Sequence, residues 1–197
     1  MHSLKEFINK NIVLFILAIS VFALGAIIGS FVAARLNAAD SNELKQQLAT
    51  YISVGSAKEI SFLDILICEC TNHLRYIPLM LLCALSVRLV VPGALILAVR
   101  GYQLGFSVSF VCGNFGSTGI LITSASAFFS YMIAIPVYFI LFVLTADYAI
   151  GQNSSRQTGT VRNFRALCIL FLIAYAALCI AACLEGLLLP IFIDFLN

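Results

Sequence analysis

Of the chain's 197 residues, 62% are apolar and only 10% are charged, and the mean hydropathy is +1.06. A soluble domain carries about a quarter charged residues, so this chain calls for a bilayer, with room for about five helical spans of roughly 20 residues each. A net charge of +2 leaves no nucleic-acid footprint, and no polar stretch is long enough to fold as a separate soluble domain. The fold class expected is all-α: a polytopic transmembrane helical bundle, with residues 1–197 forming a single integral membrane domain.

Lys5, Glu6 and Lys10 precede an uncharged run that predicts a first, uncleaved span near 12–36. Within it Gly25, Gly29 and Ala33 recur every four residues. Residues 37–65 are the outer polar segment of the prediction, part of a polar stretch that continues to His73. Asp40 reads as a helix cap with Glu43 at the third position, followed by an apolar stripe of Leu44, Leu48, Tyr51 and Ile52 and a terminator at Gly55. Ser61 opens a second capped helix that runs into the membrane, passes Glu69, His73 and Arg75 at the interface, and is expected to kink at Pro78.

The second and third spans are expected near 66–87 and 94–112, joined by a hairpin at Val91-Pro92-Gly93, since Pro-Gly is a strong turn signal. No residue from Gly101 to Ala146 is charged. One straight helix of that length would measure about 69 Å, more than twice the hydrocarbon core, so the chain must fold back. Residues 113–119, with three glycines, supply the break. Residues 120–130 carry Thr123, Ser126 and Ser130 on roughly one face and read as a short re-entrant helix. A fourth span near 131–150, a polar inner loop over 151–165 and a fifth span near 166–193 complete the chain.

Charge sets the orientation. The 151–165 loop has three arginines and no acid, whereas 37–73 has five acids against two lysines. The positive-inside rule then places the N-terminus, Arg88 and the arginine loop in the cytoplasm and the acidic segment and C-terminus outside. Five spans satisfy this, and four do not.

Catalytic constellations are absent. With two histidines and no phosphate-cradling glycine loop, neither an enzyme nor a cofactor is expected. Glu69, Cys70 and His73 have metal-like spacing but lack a fourth ligand, so no metal is assigned. The seven cysteines read as small apolar residues; Cys68 and Cys70, at i and i+2 on a helix, cannot bridge each other. Down the third span Gly101, Gly105, Ser109 and Gly113 form a four-step ladder of small residues. Such a face lets another backbone approach closely, within the chain or between copies in a homo-oligomer. Arg100, Asp147 and Glu185 are charges within apolar runs. Arg100 is expected about 9 Å from the inner end of its span, there to snorkel or to pair with Asp147.

Three stretches carry a resemblance: Ala98 to Phe110, containing Arg100, Gly101, Gly105 and Phe106; "GAIIGS" at 25–30; and "NHLRYIPLMLLCALSV" at 72–87. With the overall length they resemble the stage II sporulation protein M family. That resemblance implies a non-enzymatic membrane scaffold of the mother-cell engulfing membrane. It would localise two peptidoglycan hydrolases, stage II sporulation proteins P and D, during endospore formation. The partner contact is expected on the outer segment, with Leu44, Leu48 and Tyr51 as anchors against partner or membrane lipid. The competing function is a small permease or permease subunit using Arg100, Asp147 and Glu185 along a pathway.

Overall fold

The structure, a computed structural model, describes the backbone of residues 9–37, 39–47, 62–158 and 164–196. Side chains are described for 9–37, 39–47, 66–114, 131–151 and 164–184. The described residues contain helices and no strand. The long ones are α1 (Ile12–Ala34), α2 (Phe62–Cys83), α3 (Val90–Thr158) and α4 (Phe164–Leu196), with a 3-10 turn at Val87–Leu89. A short helical stretch covers 39–47. Four helical segments among the described residues are long and apolar enough to cross a membrane: Ile12–Ala34, Val87–Asn114, Tyr131–Gly151 and Phe164–Leu184. Helix α2 has 22 residues, about 33 Å of helix, but carries Asp64, Glu69 and Arg75.

Helix α3 is continuous over 69 residues, yet it cannot be straight. Arg100 and Tyr138 would then stand about 57 Å apart, and instead their side chains are hydrogen-bonded at 2.6 Å. Gly93 likewise faces Phe142. Both pairs are centred on the 113–119 stretch, so the chain doubles back where the glycines lie. The expected non-helical turn is corrected: backbone hydrogen bonding stays helical through 113–130. In an apolar medium an unpaired backbone group costs several kcal/mol, which favours bending the helix over interrupting it. The hydroxyls of Thr123, Ser126 and Ser130 lie outside the described side chains.

Other boundaries move for equally local reasons. The hairpin between α2 and α3 falls at 84–86, tied by Ala84 and Leu85 amides donating to the carbonyls of Leu81 and Leu82 at 3.1 Å. Pro92 and Gly93 sit in the first turn of α3, where proline lacks only a hydrogen bond the helix end would not have made. Helix α2 runs on through Pro78. Helix α3 continues to Thr158, so residues 151–158 are helical and not loop. Gly151 alone costs the helix only about 1 kcal/mol. Asp40 is not a cap, because the helical stretch already includes residue 39 and the Ser41 amide donates to Asn37 O at 2.9 Å. Leu48, Tyr51, Ile52, Gly55 and residues 159–163 lie outside the described residues.

Helix directions follow from the contacts. Gly25 and Gly29 lie against Ala98 and Tyr102, so α1 is parallel to the first half of α3. The second half of α3 returns antiparallel. Helix α2 meets Arg100 at Asn72 and Gly93 at Cys83, so it too is antiparallel to the first half. One end of the bundle therefore gathers Lys10, the Arg88 hairpin, Asp147 and the start of α4, where Tyr148 meets Phe164. The other end gathers the last turn of α1 and the start of α2.

The core comprises Met80, Leu97, Leu141, Phe142, Val143 and Leu178, all fully buried. Thr145, also buried, donates to Leu141 O at 2.7 Å and reaches Met80 O of α2 at 3.5 Å. Outward residues are apolar too: Val13 and Val91 are each 74% exposed and Leu172 71%. A belt of this kind on three elements is stable only against lipid.

Candidate functional site

The small-residue ladder packs within the chain. A Cβ on Gly25 would lie 2.9 Å from the Ala98 carbonyl carbon, one on Gly29 2.9 Å from Phe106 N, and one on Gly101 3.0 Å from the Phe22 carbonyl carbon. On Gly105 it would lie 2.7 Å from the Ala26 carbonyl carbon. No real side chain fits at those separations, and the obstacles are backbone, which cannot swing aside. Ser30 Oγ donates to Gly105 O at 3.2 Å, and Ser109 Oγ donates to Ser30 O at 3.2 Å. The ladder thus closes with two crossing hydrogen bonds. Gly113 is a correction: nothing stands within 4 Å of its would-be Cβ, because it lies beyond the close approach.

Arg100 is neither snorkelling nor paired with Asp147. It lies near the middle of Val87–Asn114 and points into the bundle. Its Nη2 donates to Tyr138 Oη at 2.6 Å and to Asn72 O at 3.4 Å, and lies 3.2 Å from His73 Nδ1. Its Nη1 donates to Gln103 Oε1 at 3.4 Å, and the guanidinium lies 4.1 Å from the Tyr76 ring centroid, a cation–π distance. Tyr76 Oη accepts from Gln103 Nε2 at 3.0 Å. His73 is only 4% exposed, and its Nδ1 is 2.9 Å from Tyr138 Oη. Nδ1 thus lies within hydrogen-bond reach of both the Tyr138 hydroxyl and the guanidinium.

Asp147 finds Lys10 Nζ at 3.4 Å instead. Tyr138 is nine residues before it, roughly 14 Å of helix, so Asp147 serves the Lys10 end of the bundle while Arg100 sits deep within it. The backbone of Glu185 belongs to α4, and its side chain lies outside those described. The Glu69, Cys70 and His73 trio does not converge. Cys70 Sγ approaches Cys179 Sγ at 3.5 Å, whereas His73 turns to Arg100 with Glu69 3.8 Å from its Nε2. Among the described residues no three His, Cys, Asp or Glu side chains are placed to hold a metal ion. All seven cysteines are free thiols. Leu44 is half-buried on the 39–47 stretch.

Reading the chain residue by residue missed the grouping of His73, Tyr76, Gln103 and Tyr138 around Arg100. The signal was present in the i, i+3 spacing of His73 with Tyr76 on α2 and of Arg100 with Gln103 on α3. Each pair presents two polar groups on one helix face, and such faces inside a bundle need each other.

An all-helical bundle of lipid-facing apolar helices, held by close backbone packing and a buried polar cluster, is the class of protein that these elements define. The family model of stage II sporulation protein M matches residues 18–190, and the chain belongs to that family. The match spans the ladder, the Arg100 cluster and most of α4, and makes this a sporulation-related membrane protein. No curated protein and no solved structure matches the chain.

Proposed function

We propose that this chain is a non-enzymatic scaffold of the bacterial cytoplasmic membrane that recruits peptidoglycan hydrolases to the engulfing membrane during endospore formation. The observation that carries this reading is the family match over residues 18–190. By resemblance the hydrolases are stage II sporulation proteins P and D. Five spans are proposed, α2 included, with the N-terminus cytoplasmic and the C-terminus outside. Supporting this, Lys10 and Arg88 fall at one end of the bundle and Asp40, Glu43 and Asp64 toward the other, the asymmetry the positive-inside rule uses. The intramembrane charges Arg100 and Asp147 engage separate partners, Tyr138 and Lys10, an arrangement suited to holding helices in place.

The proposed partner surface is the outer segment 37–65, anchored through Leu44, Leu48 and Tyr51. Aspartate at positions 48 and 51 tests it. The altered protein should remain in the membrane at normal abundance, fail to co-purify the hydrolases and leave engulfment stalled. Neutral replacements of Asp147 and Glu185 should leave capture intact. Retained capture by the Leu48→Asp, Tyr51→Asp protein would remove the segment from the partner site.

A further inference from the structure

Helix α2 offers different sides to its two neighbours. Asn72 and Tyr76 meet Arg100 and Gln103 of α3, whereas Cys70 meets α4, its Sγ 3.5 Å from Cys179 Sγ. These two residues are 109 positions apart in the chain. Cys183, one turn beyond Cys179, also lies within electrostatic reach of the Cys70 thiol. The α2–α4 contact thus gathers three of the seven thiols, all free and all part-exposed.

We propose that Cys70 and Cys179 are a redox-active dithiol, which a lipid-soluble oxidant of the quinone class converts to a disulfide joining α2 to α4. The distance favours it. A disulfide needs its sulfurs about 2.05 Å apart, so roughly 1.5 Å must close, shared between rotations of two side chains on facing helices. Cys68 cannot compete, being at i and i+2 from Cys70 on one helix. Depth and surroundings select the oxidant. Cys70 is about 3 Å of helix from Asn72, whose carbonyl accepts from Arg100, a residue near the middle of its apolar segment. Cys179 is about 22 Å of helix from Phe164, within the apolar segment Phe164–Leu184. The side chains flanking the pair, Ile67, Leu74 and Ile180, are all more than half exposed, so approach is from the acyl chains and not from water. In the step two S–H bonds break and one S–S bond forms. The two electrons and two protons pass to the two carbonyl oxygens of the quinone, which leaves as the quinol. The product would fasten α2 to α4 as the arginine cluster fastens it to α3, whichever way the bundle faces across the membrane.

The test uses the full-length, fully reduced protein in nanodiscs, exposed to a fully substituted benzoquinone that cannot be arylated by thiols. After removal of the quinone and denaturation in detergent, free thiols are counted by maleimide mass shift. Five of the seven thiols should react in the monomer, and all seven after reduction, with one quinol formed per bond. Oxidised glutathione, confined to water, should leave all seven reactive. Cys70→Ala and Cys179→Ala should each abolish the loss of thiols, whereas Cys183→Ala should retain it. Fragment masses of the wild-type protein, independent of any variant, should place the bond between Cys70 and Cys179. Seven reactive thiols after quinone treatment, a bond elsewhere, or equal oxidation by glutathione would overturn the proposal.

Discussion

Between α1 and the first half of α3 the helices meet backbone to backbone, with glycines where side chains would collide. Around Arg100, next to Gly101 in the same turn of that helix, the bundle meets through long polar side chains that leave a cavity. The first contact leaves no room for a side chain at Gly25, Gly29, Gly101 or Gly105. The second leaves a cavity and holds its charge by hydrogen bonds to Tyr138, Asn72 and Gln103. In a bilayer apolar surface alone gives helices no reason to associate, because lipid is as apolar as leucine. The bundle therefore uses both remaining means, close dispersion contact and hydrogen bonding out of reach of water. The ladder sets how near α1 can come, and the cluster fixes how α2 and the returning half of α3 are rotated about their axes.

Substitutions separate the two contacts, beginning with the most damaging. Gly105→Leu places a branched side chain against Ala26 backbone that cannot move aside. It should cost about 3 kcal/mol, read as lost folded yield by size exclusion in detergent. Ser107→Leu, at an exposed position on the same helix, should be near neutral, and equal damage by both would dissolve the ladder as a packing face. Arg100→Met removes the charge but strands Tyr138, Gln103 and His73. It should lower stability by about 2 kcal/mol in thermal unfolding; a gain instead would mean the cluster is maintained for something other than stability. Tyr138→Phe deletes the hydroxyl shared by Arg100 and His73 and should cost about 1 kcal/mol. Smallest is the serine pair. Ser30→Ala and Ser109→Ala each delete one hydrogen bond to a backbone carbonyl of the facing helix, and each should cost about 0.6 kcal/mol in thermal unfolding, the usual size for interhelical hydrogen bonds in a bilayer.

The two contacts also differed in how much the amino-acid order revealed. Gly25, Gly29, Gly101, Gly105 and Ser109 were legible as packing residues because small residues at four-residue spacing have one physical consequence, a bare helix face. Gly113 has the same spacing and no contact, since spacing does not say where a neighbouring helix ends. The reversal of α3 was legible from length alone, but its unbroken helical backbone was not, because glycine permits a turn without requiring one. Arg100 stood out as an intramembrane charge, whereas its partners did not. Histidine and tyrosine on an apolar helix are compatible with interface and interior alike, and only the fold brings His73, a residue expected at the interface, against a residue 27 positions on. Asp147 illustrates the same limit. Its partner Lys10 is 137 positions away, a distance over which no periodicity speaks.

The proposed scaffold depends on one geometric claim, that the acidic segment 37–65 faces the wall while the arginine-bearing end of α3 faces the cytoplasm. Single cysteines at Ser56 and Ser154, in a background freed of the seven native thiols, test it in intact cells with a membrane-impermeant thiol reagent. Position 56 should be labelled at once, and position 154 only after the membrane is permeabilised. Labelling of 154 but not 56 in intact cells would invert the bundle and put the proposed partner surface on the wrong side of the membrane.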